Sequence, residues 1–190
     1  MADDPASHSP AEGLWAFSLD LYARPGAADA CLLLQDRHGL DVNLGLFALW
    51  LGARGYALDD ATLAAAQAAA GQWHRQVVVP LRAARRFLKP LAEDPAVAGL
   101  REAVKAAELE AERLEQRRLE SLTAPGISSD AGTPSAPGTP SNASTPSAAG
   151  SDLPGDNLLR LLPTALDRES RAAVTLLATL AASALPGQEV

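Results

Sequence analysis

The sequence predicts an all-α protein: a compact bundle of about five helices, a disordered Pro/Ser/Thr-rich tether and a C-terminal amphipathic helix. Three observations carry this expectation. From Leu14 to Leu122 apolar residues recur at helical spacing among strong helix formers. No stretch of that region alternates β-branched and polar residues as a half-buried strand would. After Thr123 the composition changes abruptly, and large apolar residues return in force only near the C-terminus.

Breaker residues set the elements. Pro25 and Gly26 separate a first helix, Leu14 to Ala23, from a second, Ala27 to His38. Gly39 suits a left-handed C-cap on the second helix, and Asp41 suits the N-cap of the third, Val42 to Arg54. Gly55 ends the third helix, and Asp59-Asp60 opens a long fourth one that runs to Leu88. Pro80 lies inside it and is expected to kink it, because the ring removes an amide donor and crowds the preceding turn. Lys89-Pro90 closes that helix, and the fifth spans Pro95 to Leu122. Residues 1–12 are expected to be disordered, 13–123 to form the helical domain and 124–156 to form the disordered linker. Residues 157–190 are expected to form a C-terminal helical segment, with Leu166, Ala173, Val174, Leu177, Leu180 and Ala181 near one face. That face has two readings: it folds back onto the main domain, or it docks on a partner.

Composition narrows the function classes. The chain carries 16 Lys+Arg against 23 Asp+Glu, a net charge of -7, which argues against nucleic acid or an anionic membrane surface as a partner. Cys31 is the single cysteine, so neither an intrachain disulfide nor a multi-cysteine zinc site is available. The acidic N-terminus lacks the order of a signal peptide, and the uncharged run Ala172 to Pro186 is too short and too rich in Ala and Thr for a transmembrane segment. A cytoplasmic, bacterial protein is expected.

The stretch "QDRHGLDVN" sets Gln35, Asp36, His38, Asp41 and Asn43 between two strongly apolar runs. On a helical wheel Asp36 projects between Leu32 and Leu33, and it sits in a last turn where the helix dipole disfavours a carboxylate. The favoured reading is architectural. Asp41 caps the next helix, and a buried Asp36 accepts hydrogen bonds from that helix's free amides, from Asn43 or from a neighbouring Arg. The competing reading joins these residues into a catalytic or metal-binding cluster, but no second acidic motif with ligand spacing supports it. The third helix is apolar all round and is expected to be the core helix.

A basic stripe, Arg75, Arg82, Arg86 and Lys89 with Arg85 alongside, lies opposite Trp73, Val77, Leu81, Ala84 and Leu88 on the fourth helix. It suits an anionic ligand or an acidic partner. The simpler reading pairs it with the fifth helix, which carries Glu102, Glu108, Glu110, Glu112, Glu115 and Glu120. The fifth helix itself reads as a solvated or coiled-coil helix with a thin seam of Val104, Ala107, Ala111 and Leu114.

The string "WAFSLDLYARPGAADACLLLQDRHGLDVNLGLFALWLGARG", followed by "VVVPLRAARRFLK", resembles a family of short, mostly proteobacterial conserved hypothetical proteins of unknown function. The resemblance spans about residues 14 to 122, with Gln35 to Asn43 its most specific part. It implies a bacterial helical domain and carries over no activity, cofactor or catalytic residue. The expected function is a non-enzymatic adaptor or regulatory module with a protein partner and possible self-association, using no catalytic residue, metal or cofactor. The alternative is a small-molecule or metal-assisted enzyme with a polar site at Asp36, His38, Asp41 and Asn43 and an anion-binding Arg stripe.

Overall fold

A computed structural model describes residues 13–123 and 152–184. The expected disordered N-terminus, and the expected tether as far as residue 151, lie outside the described residues. The described chain is helical and contains no strand. In order it forms α1 (Leu14–Ala23), α2 (Ala27–His38), α3 (Val42–Ala53), α4 (Asp60–Trp73), a π-helical turn (His74–Val78), α5 (Val79–Leu88), a short 3-10 turn (Lys89–Leu91), α6 (Pro95–Ser121), α7 (Leu153–Leu159) and α8 (Arg168–Ala182).

The all-α expectation is met, and α3 is its axis. Every residue from Val42 to Gly52 is buried, because α1, α2, α4, α6, α7 and α8 all lie against this one helix. Each large side chain removed from water there contributes roughly 1.5–3 kcal/mol. Local sequence sets the entry to the helix. Gly39 ends α2 at a φ of 68°, where its amide bonds the Gln35 carbonyl. Two residues later Asp41 caps α3 by accepting from the amides of Asn43 and Leu44.

Three expectations need correction. The composition of the linker extends to residue 156, but Leu153–Leu159 is helical. Asp152 caps this helix by accepting from the Gly155 amide, and Pro154 sits in the first turn, where its missing N–H costs nothing. A Pro and Gly content that reads as linker here serves a helix start. Secondly, the fourth helix is not one regular rod, since five residues ahead of Pro80 take π geometry and Pro80 falls in the first turn of α5. The wider turn accommodates the amide that Pro80 lacks and the carbonyl its ring would crowd. Finally, α6 is largely solvated with one buried seam, but the seam is not the expected one: Ala111 is buried, Val104 and Leu114 are half-buried and Ala107 is exposed. The helix turns Glu108, Ala111, Glu115, Gln116 and Leu119 into the bundle.

The C-terminal segment folds back. Ala173, Val174, Leu177, Ala178 and Ala181 of α8 are buried, and α8 packs on α2, α3 and α7. Polar ties fix it at both ends: Arg37 pairs with Asp167 at 3.1 Å and with Glu169, and Arg24 donates to Ser183 Oγ at 2.6 Å and to the Leu180 carbonyl at 3.3 Å. Asn157 ties α7 to α3. Its amide donates to the Ala48 and Tyr56 carbonyls at 3.1 and 2.9 Å, while its oxygen accepts from the Leu58 amide at 2.8 Å. Asn157→Ala would strand three backbone groups, so a loss of about 2–3 kcal/mol is expected in urea unfolding.

Candidate functional site

Two features share a wall at the junction of α1, α2, α3, α5 and α6. The first is a cleft of about 490 Å³. Its apolar side is built by Trp15, Leu19 and Tyr22 of α1, Leu32 of α2 and Leu109 of α6, with Val42 and Leu46 of α3 behind them. Leu19, Tyr22, Leu32 and Leu109 are exposed, so large apolar groups from three helices converge at one opening. Four cations, Arg82, Arg85, Arg86 and Lys105, line it against two carboxylates, Glu108 and Glu112.

The floor of this cleft is an ion-pair lattice between α5 and α6. Arg82 donates to Glu108 at 3.1 Å, to Glu112 at 2.6 Å and to the Gln35 side-chain oxygen at 2.6 Å. Arg85 pairs with the same Glu108. Burial works against the Glu108 carboxylate, yet the two guanidiniums outweigh it and its pKa lies below the ordinary value. Burial dominates at Glu112 and raises its pKa despite Arg82. Arg86 and Lys105 are held more loosely, at 3.6 Å from Asp36 and 3.4 Å from Glu102, in the open. Cys31 of α2 lies in the core rather than in the cleft lining, and burial pushes its thiol up to about 11, which keeps it protonated and unreactive.

The second feature lies behind the cleft wall. Ser18 donates to Gln116 Oε1 at 3.0 Å, Gln116 Nε2 donates to Asn43 Oδ1 at 3.0 Å, and Asn43 Nδ2 donates to Glu115 Oε2 at 2.8 Å. This relay leads from the cleft to Glu115, which is 0% exposed. There the His74 Nδ1 atom lies 3.1 Å from Asp41 Oδ2 and 3.4 Å from Glu115 Oε1. All three residues place a ligand-capable atom within 4.8 Å of one another. His74 is the first residue of the π turn, immediately after α4. Trp73, one residue earlier, donates its indole N–H to the Ala111 carbonyl at 2.9 Å and stacks against Arg118, tying α4 to α6 beside the cluster.

Burial pushes the Asp41 pKa up to about 7, and the Glu115 charge adds to it, whereas His74 and the Leu44 amide pull the other way. At His74 burial opposes the imidazolium, but the Glu115 and Asp41 carboxylates overcome it and leave the pKa above its ordinary value. Both groups therefore hold protons more tightly in the folded chain than in the unfolded one. The Asp41 contribution to stability is complete below the unfolded carboxylate value and is lost as pH rises through about 7, and the His74 contribution is lost in the same direction, as pH rises past the ordinary imidazole value. In buffer containing EDTA, the melting temperature is expected to fall by about 5 °C between pH 5 and pH 8, by differential scanning calorimetry.

The residues singled out from the sequence divide between three places. Asp41 and Asn43 belong to the buried cluster. Gln35, Arg82, Arg85 and Arg86 line the cleft. Asp36 and His38 join neither. The Asp36 side chain is 62% exposed and, among the described residues, pairs with Arg86 at 3.6 Å and its neighbour Gln35, so its expected burial and amide partners are corrected. Leu32 is exposed at the cleft while Leu33 is half-buried against the core, so the arc that suggests burial faces outward on its Leu32 side. His38 Nε2 lies 2.8 Å from Ser170 Oγ, which ties α2 to the start of α8. Arg75 and Lys89 are exposed. On α5 the apolar face is only half-buried and Ala84 is exposed, while Arg82 and Arg85 turn inward.

Sequence reasoning missed His74, Glu115, Ser18 and Gln116. One signal was available: Glu108, Ala111, Glu115 and Leu119 follow each other at spacings of three and four, which places two acids on the seam of α6.

Among the described residues no helix is long and apolar enough to cross a membrane. No curated protein and no solved structure matches the chain. The family described as a protein of unknown function (DUF2390) matches residues 13–119, which takes in α1 to α6 with both the cleft and the buried cluster, and the chain belongs to that family.

Proposed function

We propose that this protein is a non-enzymatic binding module whose cleft takes a small amphipathic molecule with an anionic group. The observation that carries this reading is the cleft itself: about 490 Å³, rimmed by exposed Leu19, Tyr22, Leu32 and Leu109, and richer in cations than in carboxylates on a chain of net charge -7. Its volume falls in the range that holds a small ligand. Arg86 and Lys105 supply charge at the mouth through loose, solvent-exposed pairs that a ligand carboxylate or phosphate would replace. The polar floor is engaged within the protein, since Ser18, Asn43, Gln116 and Arg82 each bond another side chain. Such a surface recognises and holds.

Anilinonaphthalene sulfonate is a suitable probe. One saturable site is expected in fluorescence titration, displaced by decanoate and not by decylamine. Leu32→Glu, at a position 47% exposed, should abolish the site without unfolding the protein. Arg86→Glu should weaken binding about tenfold by reversing one charge near the anion. Equal displacement by the cationic amphiphile would overturn the reading.

A protein-partner reading rests on a different observation. Phe87 near the end of α5 and Leu91 in the 3-10 turn that follows are 71% and 48% exposed, large apolar groups suited to anchoring in a partner's pocket. The alternative reading of the C-terminal helix, as one that docks on a partner, lends no support here, because the apolar face of α8 is covered by its own domain. Phe87→Ser should leave probe binding intact and should remove any co-purifying partner or self-association seen by light scattering.

A further inference from the structure

The Asp41, His74 and Glu115 cluster has the construction of a metal site. We propose that Asp41 Oδ2, His74 Nδ1 and Glu115 Oε1 together bind one divalent transition-metal ion of the zinc class. The site goes beyond the cleft reading and does not depend on it.

The spacing comes first. Ligand atoms around tetrahedral zinc, with bonds of about 2.0–2.1 Å, stand about 3.3 Å apart. His74 Nδ1 stands 3.1 Å from the Asp41 oxygen and 3.4 Å from the Glu115 oxygen. The orientation of the groups is the independent observation. A buried His between two carboxylates ordinarily donates a well-aligned N–H to one of them. Here both His74 Nδ1 and Glu115 Oε1 are buried with no hydrogen-bond partner of proper geometry, although Glu115 is wholly enclosed. The three atoms lie within 4.8 Å of one another, and neither His74 Nδ1 nor Glu115 Oε1 makes a hydrogen bond of proper geometry.

The opposite oxygen of each carboxylate is already fixed. Asp41 Oδ1 accepts from the Asn43 and Leu44 amides, and Glu115 Oε2 accepts from Asn43 Nδ2 at 2.8 Å. One free oxygen per carboxylate, oriented by hydrogen bonds to the other, is the outer support that metal ligands need. Charge agrees as well. Two carboxylates and a neutral imidazole balance a divalent cation, whereas without it two buried acids stand side by side. An imidazole with two carboxylates selects zinc, manganese, iron or cobalt over calcium and magnesium. Asn43 also reaches Gln116 and through it Ser18 on the cleft wall, so the ion would sit behind the cleft, linked to it by hydrogen bonds.

The test uses the full chain, stripped with a chelator and titrated with Zn²⁺ alone by calorimetry, then with Co²⁺ followed by visible absorption. One equivalent should bind, Co²⁺ should give bands of a low-coordinate nitrogen and oxygen site, and the melting temperature should rise. The sequence holds three histidines, His8, His38 and His74. The doubled variant His8→Ala/His38→Ala should keep the equivalent of Zn²⁺, and His74→Gln should lose it. If His74→Gln fails to fold, nitrogen NMR of the unaltered chain decides the matter: on adding Zn²⁺, the Nδ1 resonance of one buried histidine should shift. Absence of stoichiometric binding in the unaltered chain, or retention of binding in a folded His74→Gln protein, would overturn the proposal.

Discussion

Gly52→Ala is expected to unseat α7 from the core and to lower stability by about 4 kcal/mol. A Cβ at this position would stand 2.5 Å from both the N and Cα atoms of Pro154 and 2.7 Å from the Leu153 carbonyl carbon. These are backbone atoms at a helix start, with no flexible side chain to swing aside. Relief requires α7 to retreat, and its retreat would pull Leu158 out of the core and break the three hydrogen bonds of Asn157. Denaturant unfolding should show a lower midpoint. Limited proteolysis should cut between α7 and α8 while α1 to α6 stay protected. A stable Gly52→Ala protein with unchanged protection would mean that α7 packs on α3 less closely than 2.5 Å implies.

Arg82→Ala should be nearly as damaging, again about 4 kcal/mol, because it removes one side of a buried charge set. Arg82 is 15% exposed and serves Glu108, Glu112 and Gln35 at once. Glu108 would keep Arg85, but Glu112 would be left without its cation in a place where burial already raises its pKa. Removing both charges as Arg82→Met/Glu112→Met should recover most of the loss, since an apolar pair leaves no stranded charge. If the double substitution is as unstable as the single one, Arg82 acts mainly by packing its stem. Thermal and urea unfolding of the three proteins read this directly.

The helix ends were legible in the sequence because caps and breakers act over three or four residues. Gly39 and Asp41 fulfil the roles their positions imply, and α3 is buried all round as its composition requires. Asp36 misled because an apolar arc was equated with burial. Leu32, 47% exposed, spends its surface on the mouth of a cleft, and the carboxylate beside it stays in water. The cluster was hidden for another reason. Its three members come from the caps and interiors of different elements, so only tertiary packing brings residues 41, 74 and 115 within 4.8 Å. Even the acidic seam of α6 was outvoted by the many exposed acids of that helix, whose pattern reads as solvated. Pro80 gave a true signal of irregularity, though its effect was π winding in the residues before it.

That winding governs how the rod tolerates changes in length. An α-helix turns about 100° with each residue, and a wide turn absorbs one extra residue without advancing the screw by that amount. Excising a single residue between 74 and 78 would let the segment tighten to ordinary pitch. Trp73, upstream, would keep its grip on the Ala111 carbonyl and Arg82 and Arg85, downstream, would still face Glu108, whereas ordinary winding imposed on the present length would swing the two arginines roughly a quarter-turn away. The two halves of the rod are thus deliberately out of phase, and the offset is what lets one continuous helix address the apolar centre at its start and the acids of its neighbour at its end.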